Sequence, residues 1–189
     1  MRLWTVQPNK VYDLILNNGV YHCDSTKSES IKNFGAVPYQ WLSEQMRKRV
    51  GPPPDGVAFP VWAWHTMSWK HKRPDMRRTE FRFEKRPFVL MEIEISDNDV
   101  LLSDEELWHF VLNNCYLSDA DNETELYKDW ERFDLLSEEE KKQEKESSWK
   151  RIFAVSPPTD NEWNKVGRYI QATFWELRKE QIIKVWHYR

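Results

Sequence analysis

Segments with the two-residue period of a β-strand stand at the start, middle and end of this chain, with helical stretches between them. Arg2 to Gln7 alternates, Leu3 and Thr5 on one face and Trp4 and Val6 on the other, and Pro8 ends it. Phe88 to Ile95 alternates again, with Val89, Met91, Ile93 and Ile95 on one side. Tyr169 to Leu177 and Ile182 to Tyr188 are rich in β-branched and aromatic residues. They read as two strands joined by a tight connection or by a helical turn at 179–182, with a wholly helical segment as the competing reading. Shorter extended segments are expected at 20–23, 59–64 and 79–84, where Phe81 and Phe83 alternate with charges. The class is α+β: a single domain over residues 1–189, with helices packed on a mixed or antiparallel sheet.

The helical segments carry their own punctuation. Asn9 is placed as an N-cap, Val11, Leu14 and Ile15 follow at helical spacing, and Gly19 closes the helix in a left-handed cap. Residues 24–29 read as loop. Tyr39 to Val50 reads as a helix with Arg47, Lys48 and Arg49 at its C-terminal end, where positive charge is favoured. Ser103 with Glu106 has the form of a capping box ahead of Leu107, Trp108, Val111 and Leu112. Residues 119–150 read as a charged helical insertion. Asp160 is placed to cap a short helix containing Trp163 and Val166.

The stretch from Ala58 to Arg86 is the chain's chemical centre of gravity. Trp62, Trp64, His65 and Trp69 run directly into Lys70, Lys72, Arg73, Arg77, Arg78, Arg82, Lys85 and Arg86. Flat aromatic faces stack on a base and guanidinium forks grip phosphate oxygens, so the pattern suits a nucleotide. Core tryptophans beside a solvated charged loop give the same pattern. Eleven tryptophans in 189 residues exceed the needs of one core, and some should line a groove or pocket.

Other chemistries lack their signatures. A net charge of -3 excludes a globally basic nucleic-acid binder but not a local basic site. The five glycines form neither a phosphate loop nor a dinucleotide fingerprint. No two histidines have the i, i+4 spacing of a helical zinc site, and no metal is expected. Cys23 and Cys115 read as reduced thiols, no apolar run nears a membrane span, and no signal-peptide core opens the chain, so a cytoplasmic protein with no membrane partner is expected.

Two resemblances follow. The opening Met-Arg-Leu-Trp-Thr-x-Gln-Pro, the middle Pro-Val-Trp-Ala-Trp, the Leu-Leu-Ser-Asp segment and the closing Gln-Ala-Thr-Phe-Trp-Glu-Leu together resemble an uncharacterised family of small bacterial and phage cytosolic proteins, over nearly the whole chain. The layout also resembles compact NAD-dependent ADP-ribosyltransferases, including those that modify nucleic acid. Those open on a strand with a polar signature, then a helix and a glycine, as 3–7 and 9–19 do here. A second strand supplies an aromatic that sandwiches nicotinamide, matched by 61–64, and a late strand carries the catalytic glutamate before an Ile-x-x-Val strand, matched by 171–175 and 181–185. The resemblance implies NAD as cofactor and a nucleic-acid or protein acceptor. With NAD as ligand, Thr5 and Gln171 are the expected catalytic residues, with Glu176 the alternative further on; Arg2, Trp4, Gln7 and His65 are placed at the cofactor, Trp62 and Trp64 stack its ring, and Arg77, Arg78 or Arg82 of the aromatic-basic stretch hold its phosphates. The usual His or Arg of the first strand falls near Trp4 and Thr5, and Gln171 replaces the glutamate. Glutamine keeps a hydrogen bond but loses the negative charge that stabilises a cationic transition state.

Three functional expectations result, in order: an enzyme acting on a nicotinamide or other nucleotide; a binding module for nucleic acid or a signalling nucleotide; and an interaction protein using the acidic helix over 119–146.

Overall fold

The computed structural model describes residues 1–81, 87–160 and 165–189. The chain opens on β1 (Arg2–Pro8), which becomes a central strand because both its edges are taken: β4 (Phe88–Glu94) pairs along its whole length and β3 (Val61–Met67) meets it at Trp4–Trp64. β8 (Tyr169–Phe174) pairs with β3, and β5 (Leu101–Asp104) pairs with β8 at one edge. β10 (Ile182–Tyr188) pairs with β4 at the other, so the six-stranded order is β10-β4-β1-β3-β8-β5, antiparallel at every junction. Two small ladders stand apart: β2 (Val20–His22) with β9 (Glu176–Arg178), and β6 (Thr159–Asp160) with β7 (Lys165–Val166).

Alternate strand residues face opposite sides of the sheet, and each side has its own cover. On one side Leu3, Val61, Ala63, Val89, Met91, Ile93, Ala172 and Phe174 form a core with Val11 and Ile15 of α1 (Asn9–Asn18). Those two α1 residues are one turn apart, so a single stripe docks on the sheet. The other side is covered at one end by α3 (Val37–Arg49) and α4 (Glu105–Leu112), through Tyr39, Leu42, Met46, Trp108 and Val111. The short 3-10 segment Trp149–Phe153 adds Trp149 and Ile152 to that core. At the other end, Met67, Phe81 and Tyr169 close over Val6 and Trp64. Among the described residues no helix is long and apolar enough to cross a membrane.

Several local expectations are corrected. Asn9 is the first helical residue rather than the cap; Pro8 holds the cap position and offers no side-chain acceptor. A helix expected to begin at Tyr39 starts at Val37, with Pro38 in its first turn, where a missing N–H costs nothing. Within the expected loop at 24–29, Ser25–Lys27 forms a 3-10 turn and α2 (Glu29–Phe34) starts on the last residue, capped by Ser28 through the Ile31 N–H. Ser103 belongs to β5 and is fully buried; the cap of α4 is Asp104, which accepts from Leu107 N–H at 3.0 Å. The insertion is two helices, α5 (Glu123–Asp134) and α6 (Glu138–Ser148), because Ser137 and Glu140 form a capping box that starts a new helix. Thr79–Phe81 is a 3-10 turn, and the rest of the strand expected there lies outside the described residues. Val166 lies in β7 rather than in a helix, and Trp163 lies outside the described residues. Tyr169 to Leu177 divides at Trp175 into β8 and β9.

Candidate functional site

Cross-strand register aligns one residue from each of the six strands. Ser103 opposes Gln171, Gln171 opposes Trp64, Trp64 opposes Trp4, Trp4 opposes Glu92, and Glu92 opposes Lys184. Directly opposed residues project to the same face, so these six form a row across the sheet on the side away from α1. With strands about 4.8 Å apart, Ser103 to Trp4 spans about 14 Å of backbone.

Three members of the row share a property. Trp4 is 5% exposed, Gln171 9% and Ser103 0%. Trp4 Nε1, Gln171 Oε1 and Ser103 Oγ are all buried without a hydrogen-bond partner among the described residues. Such groups are uncommon in folded proteins, each costing about 1–3 kcal/mol; Asn9 Oδ1 and Ser43 Oγ, outside the row, are in the same state. Another is Glu106 Oε2, in the first turn of α4 just beyond Ser103. Burial pushes the Glu106 carboxyl up, against the pull of Arg168, whose Nη1 lies 3.5 Å from Oε1. Neighbouring Asp104 is also raised by burial, although Gly167 N–H and Leu107 N–H donate to it at 2.7 and 3.0 Å.

The aromatic members are differently placed. Trp64 is half-buried, with Phe81 edge-on at 6.1 Å. Trp62, also half-buried, is wedged between Tyr39 at 6.2 Å and Trp108 at 5.3 Å, so part of its surface serves packing. His71 meets the Trp4 ring edge-on at 5.3 Å and stacks on His65 at 4.2 Å. His65 sits at the irregularity where β3 slips register between Trp64 and Thr66. Burial lowers its pKa, and the nearby His71 adds to the effect. Ser68 and Trp69 reverse the chain with φ of 51° and 66°, closed by Met67 N–H to Lys70 C=O at 2.9 Å. Neither is glycine, so this turn over the row holds backbone strain of about 1–2 kcal/mol per residue.

The remaining expected site residues scatter. Thr5 and Gln7 lie on the opposite face: the Thr5 hydroxyl donates to Trp62 C=O at 2.8 Å and the Gln7 amide donates to Thr5 Oγ1 at 2.9 Å. Arg2 reaches Glu92 at 3.3 Å, on the side of the row. Arg77 is exposed and paired by both its Nε and Nη2 with Asp75. Arg78 donates to Ser68 Oγ at 2.7 Å and Tyr169 Oη at 3.3 Å, which fastens the reversed turn to β8. Arg82 lies outside the described residues. Glu176 is in the separate β2–β9 ladder; burial raises its carboxyl, but hydrogen bonds from His22 at 3.1 Å and Arg178 at 2.6 Å outweigh that and hold it low. The structure thus gathers Trp4, Trp64 and Gln171, with Arg2 and His65 beside them, and leaves Thr5, Gln7, Arg77 and Glu176 elsewhere.

Sequence reasoning missed Ser103, Glu106 and His71. Reading 101–104 as a strand, with Asp104 rather than Ser103 as the cap, would have put Ser103 on a sheet face. Among the described residues no group of three or more His, Cys, Asp or Glu side chains is placed to hold a metal ion.

An antiparallel α+β domain with a buried polar row flanked by tryptophans is the class of protein this geometry defines. The chain belongs to the family described as Domain of unknown function (DUF3841), whose model matches residues 2–183. Neither the curated proteins nor the solved structures yield a significant match.

Proposed function

We propose that the protein binds a nucleotide on the Ser103–Gln171–Trp64–Trp4 row, with NAD the leading ligand and an ADP-ribosyltransferase-like transfer to a nucleic-acid or protein acceptor as the associated reaction. The observation that carries this reading is the register: β1, β3 and β8, three of the strands matched by the resemblance, are hydrogen-bonded neighbours, and Trp4, Trp64 and Gln171 oppose one another across them, while the fourth matched segment, β10, lies at the far edge beside β4. The half-buried indole of Trp64 offers a stacking surface, and in the same row Gln171 Oε1, Ser103 Oγ and Trp4 Nε1 are an acceptor, a hydroxyl and a donor, buried and without a partner among the described residues, that ribose or amide groups would satisfy.

A second reading, a non-catalytic binding module for nucleic acid or a signalling nucleotide, is favoured by one residue. Gln171 supplies no negative charge where a cationic transition state would need it. Calorimetry with NAD tests binding. Stacking on one aromatic is worth about 1–3 kcal/mol, so Trp64→Ala should weaken NAD roughly 5- to 150-fold. Absence of heat and of any thermal shift with NAD and ADP-ribose removes the NAD reading and leaves the binding module to be tested with nucleic acid, whose affinity should fall steeply with salt. Turnover separates them: if the row is catalytic machinery, Gln171→Glu should raise hydrolysis of NAD with water to nicotinamide, ADP-ribose and a proton. An unchanged rate with intact binding leaves the binding module.

A further inference from the structure

Helices α4, α5 and α6 border a cavity of about 670 Å³, built on different elements from the six-residue row. Its volume falls within the range of about 300–1,000 Å³ that accommodates small ligands. One wall is aromatic. Tyr116 and Phe133 stack at 4.3 Å with their planes 9° apart, and Trp130 and Phe110 remain 43% and 36% exposed beside them. Large rings left open, Phe110 on α4 and Trp130 on the charged α5, are the unusual feature here.

The facing wall is cationic. α6 presents Lys141, Lys142 and Lys145 to the cavity, against the single acid Glu138. The Lys141–Glu138 pair is loose, at 3.5 Å, with the Glu138 side chain 94% exposed. Nearby Asp129 and Glu144 share Arg132, which bonds both carboxylates and offsets one of their two charges, leaving the three lysines in excess over the remaining charge and Glu138. Lys145 holds its ammonium 5.9 Å from the Trp149 ring, within reach of the cavity it lines.

Rings for stacking on one side and ammonium groups on the other select one ligand chemistry. We propose that this cavity is a second binding site, for a phosphate-bearing planar aromatic molecule of mononucleotide size. The base lies against the wall formed by Trp130 and the Tyr116–Phe133 pair, and the phosphate meets Lys142 and Lys145.

Cys115 lines the same cavity and is exposed, which supplies a reporter, while half-buried Cys23 lies elsewhere and supplies a control. Alkylation of each thiol by iodoacetamide is followed by peptide mass spectrometry, with AMP, adenosine or inorganic phosphate added at millimolar concentration. An occupied cavity slows Cys115 by a factor of 1 + [L]/Kd, about tenfold when AMP is ten times its Kd, and leaves Cys23 unaffected. Adenosine and phosphate should protect less than AMP, and the Lys142→Met/Lys145→Met protein should lose the protection while its Cys23 rate stays the same. Trp64→Ala should leave the protection intact. An unchanged Cys115 rate with AMP overturns the proposal, as does protection that survives loss of both lysines or that phosphate or adenosine alone reproduces.

Discussion

Asp104 joins the row's scaffold together, and its removal has a calculable cost. One carboxylate oxygen caps α4 through Leu107 N–H at 3.0 Å, and the other accepts from Gly167 N–H at 2.7 Å, fixing the turn that feeds β8. Losing an N-cap costs about 0.5–2 kcal/mol. Losing a hydrogen bond to a charged group costs about 1.5–3 kcal/mol. Burial already raises the Asp104 carboxyl, so ionisation there carries an opposing penalty that trims the sum. We expect Asp104→Ala to lose about 2–4 kcal/mol, roughly 5–15 °C in Tm for a domain of this size. Asp104→Asn keeps an acceptor oxygen without a buried charge and should lose less than half as much. Because the folded pKa is raised, the aspartate's contribution is fullest below its unfolded value of about 3.9 and declines as pH rises through the folded value. Urea denaturation of the three proteins at several pH values reads both effects. An alanine variant within about 0.5 kcal/mol of wild type, or an asparagine variant as weak as alanine, refutes the reasoning.

Three further outcomes are expected. Gly167→Ala should cost about 1–3 kcal/mol, since φ is 91° and an added Cβ would meet Pro158 Cβ at 2.9 Å; denaturant midpoints measure it, and a neutral result contradicts the geometry. His65 has a depressed folded pKa, so its contribution is present above the unfolded value of about 6.5 and is lost as pH falls through the lower folded value; His65→Phe should flatten that part of a Tm-versus-pH curve. Arg132→Met should loosen α5 from α6, because Arg132 bonds Glu144 of α6 as well as Asp129 and Tyr116; its side chain is half exposed, so the loss should be about 1 kcal/mol or less and shrink in high salt.

What the sequence revealed depends on how local the determinant was. Gly19 closes α1 with φ 80° and its N–H on Ile15 C=O at 2.9 Å, a short-range pattern that the Asn-Asn-Gly triplet announces. The alternation of 2–7 and 88–95 was legible for the same reason, whereas 179–182 left a tight connection, a helical turn and a continuous helix open, and the structure has a 3-10 turn at Lys179–Gln181. Ser103 was not, because Ser-x-x-Glu and Asp-x-x-Leu offer competing starts one residue apart, and pairing with β8 decided between them. The site follows the same division. The tryptophans of 62–64 were visible as a ligand-suited pattern, but alternation also sets Thr5 on the opposite face from Trp4, so their roles at one site separate once the sheet forms. Gln171 entered by resemblance, whereas its alignment with Ser103 is a consequence of sheet order that no local pattern encodes.

Indole N–H signals in a proton–nitrogen correlation spectrum, assigned by single Trp→Phe substitutions and followed during NAD addition, test the row most directly. Binding there should move the Trp4 and Trp64 resonances together and saturably as NAD is added. Stationary Trp4 and Trp64 signals in the presence of bound NAD would contradict the account.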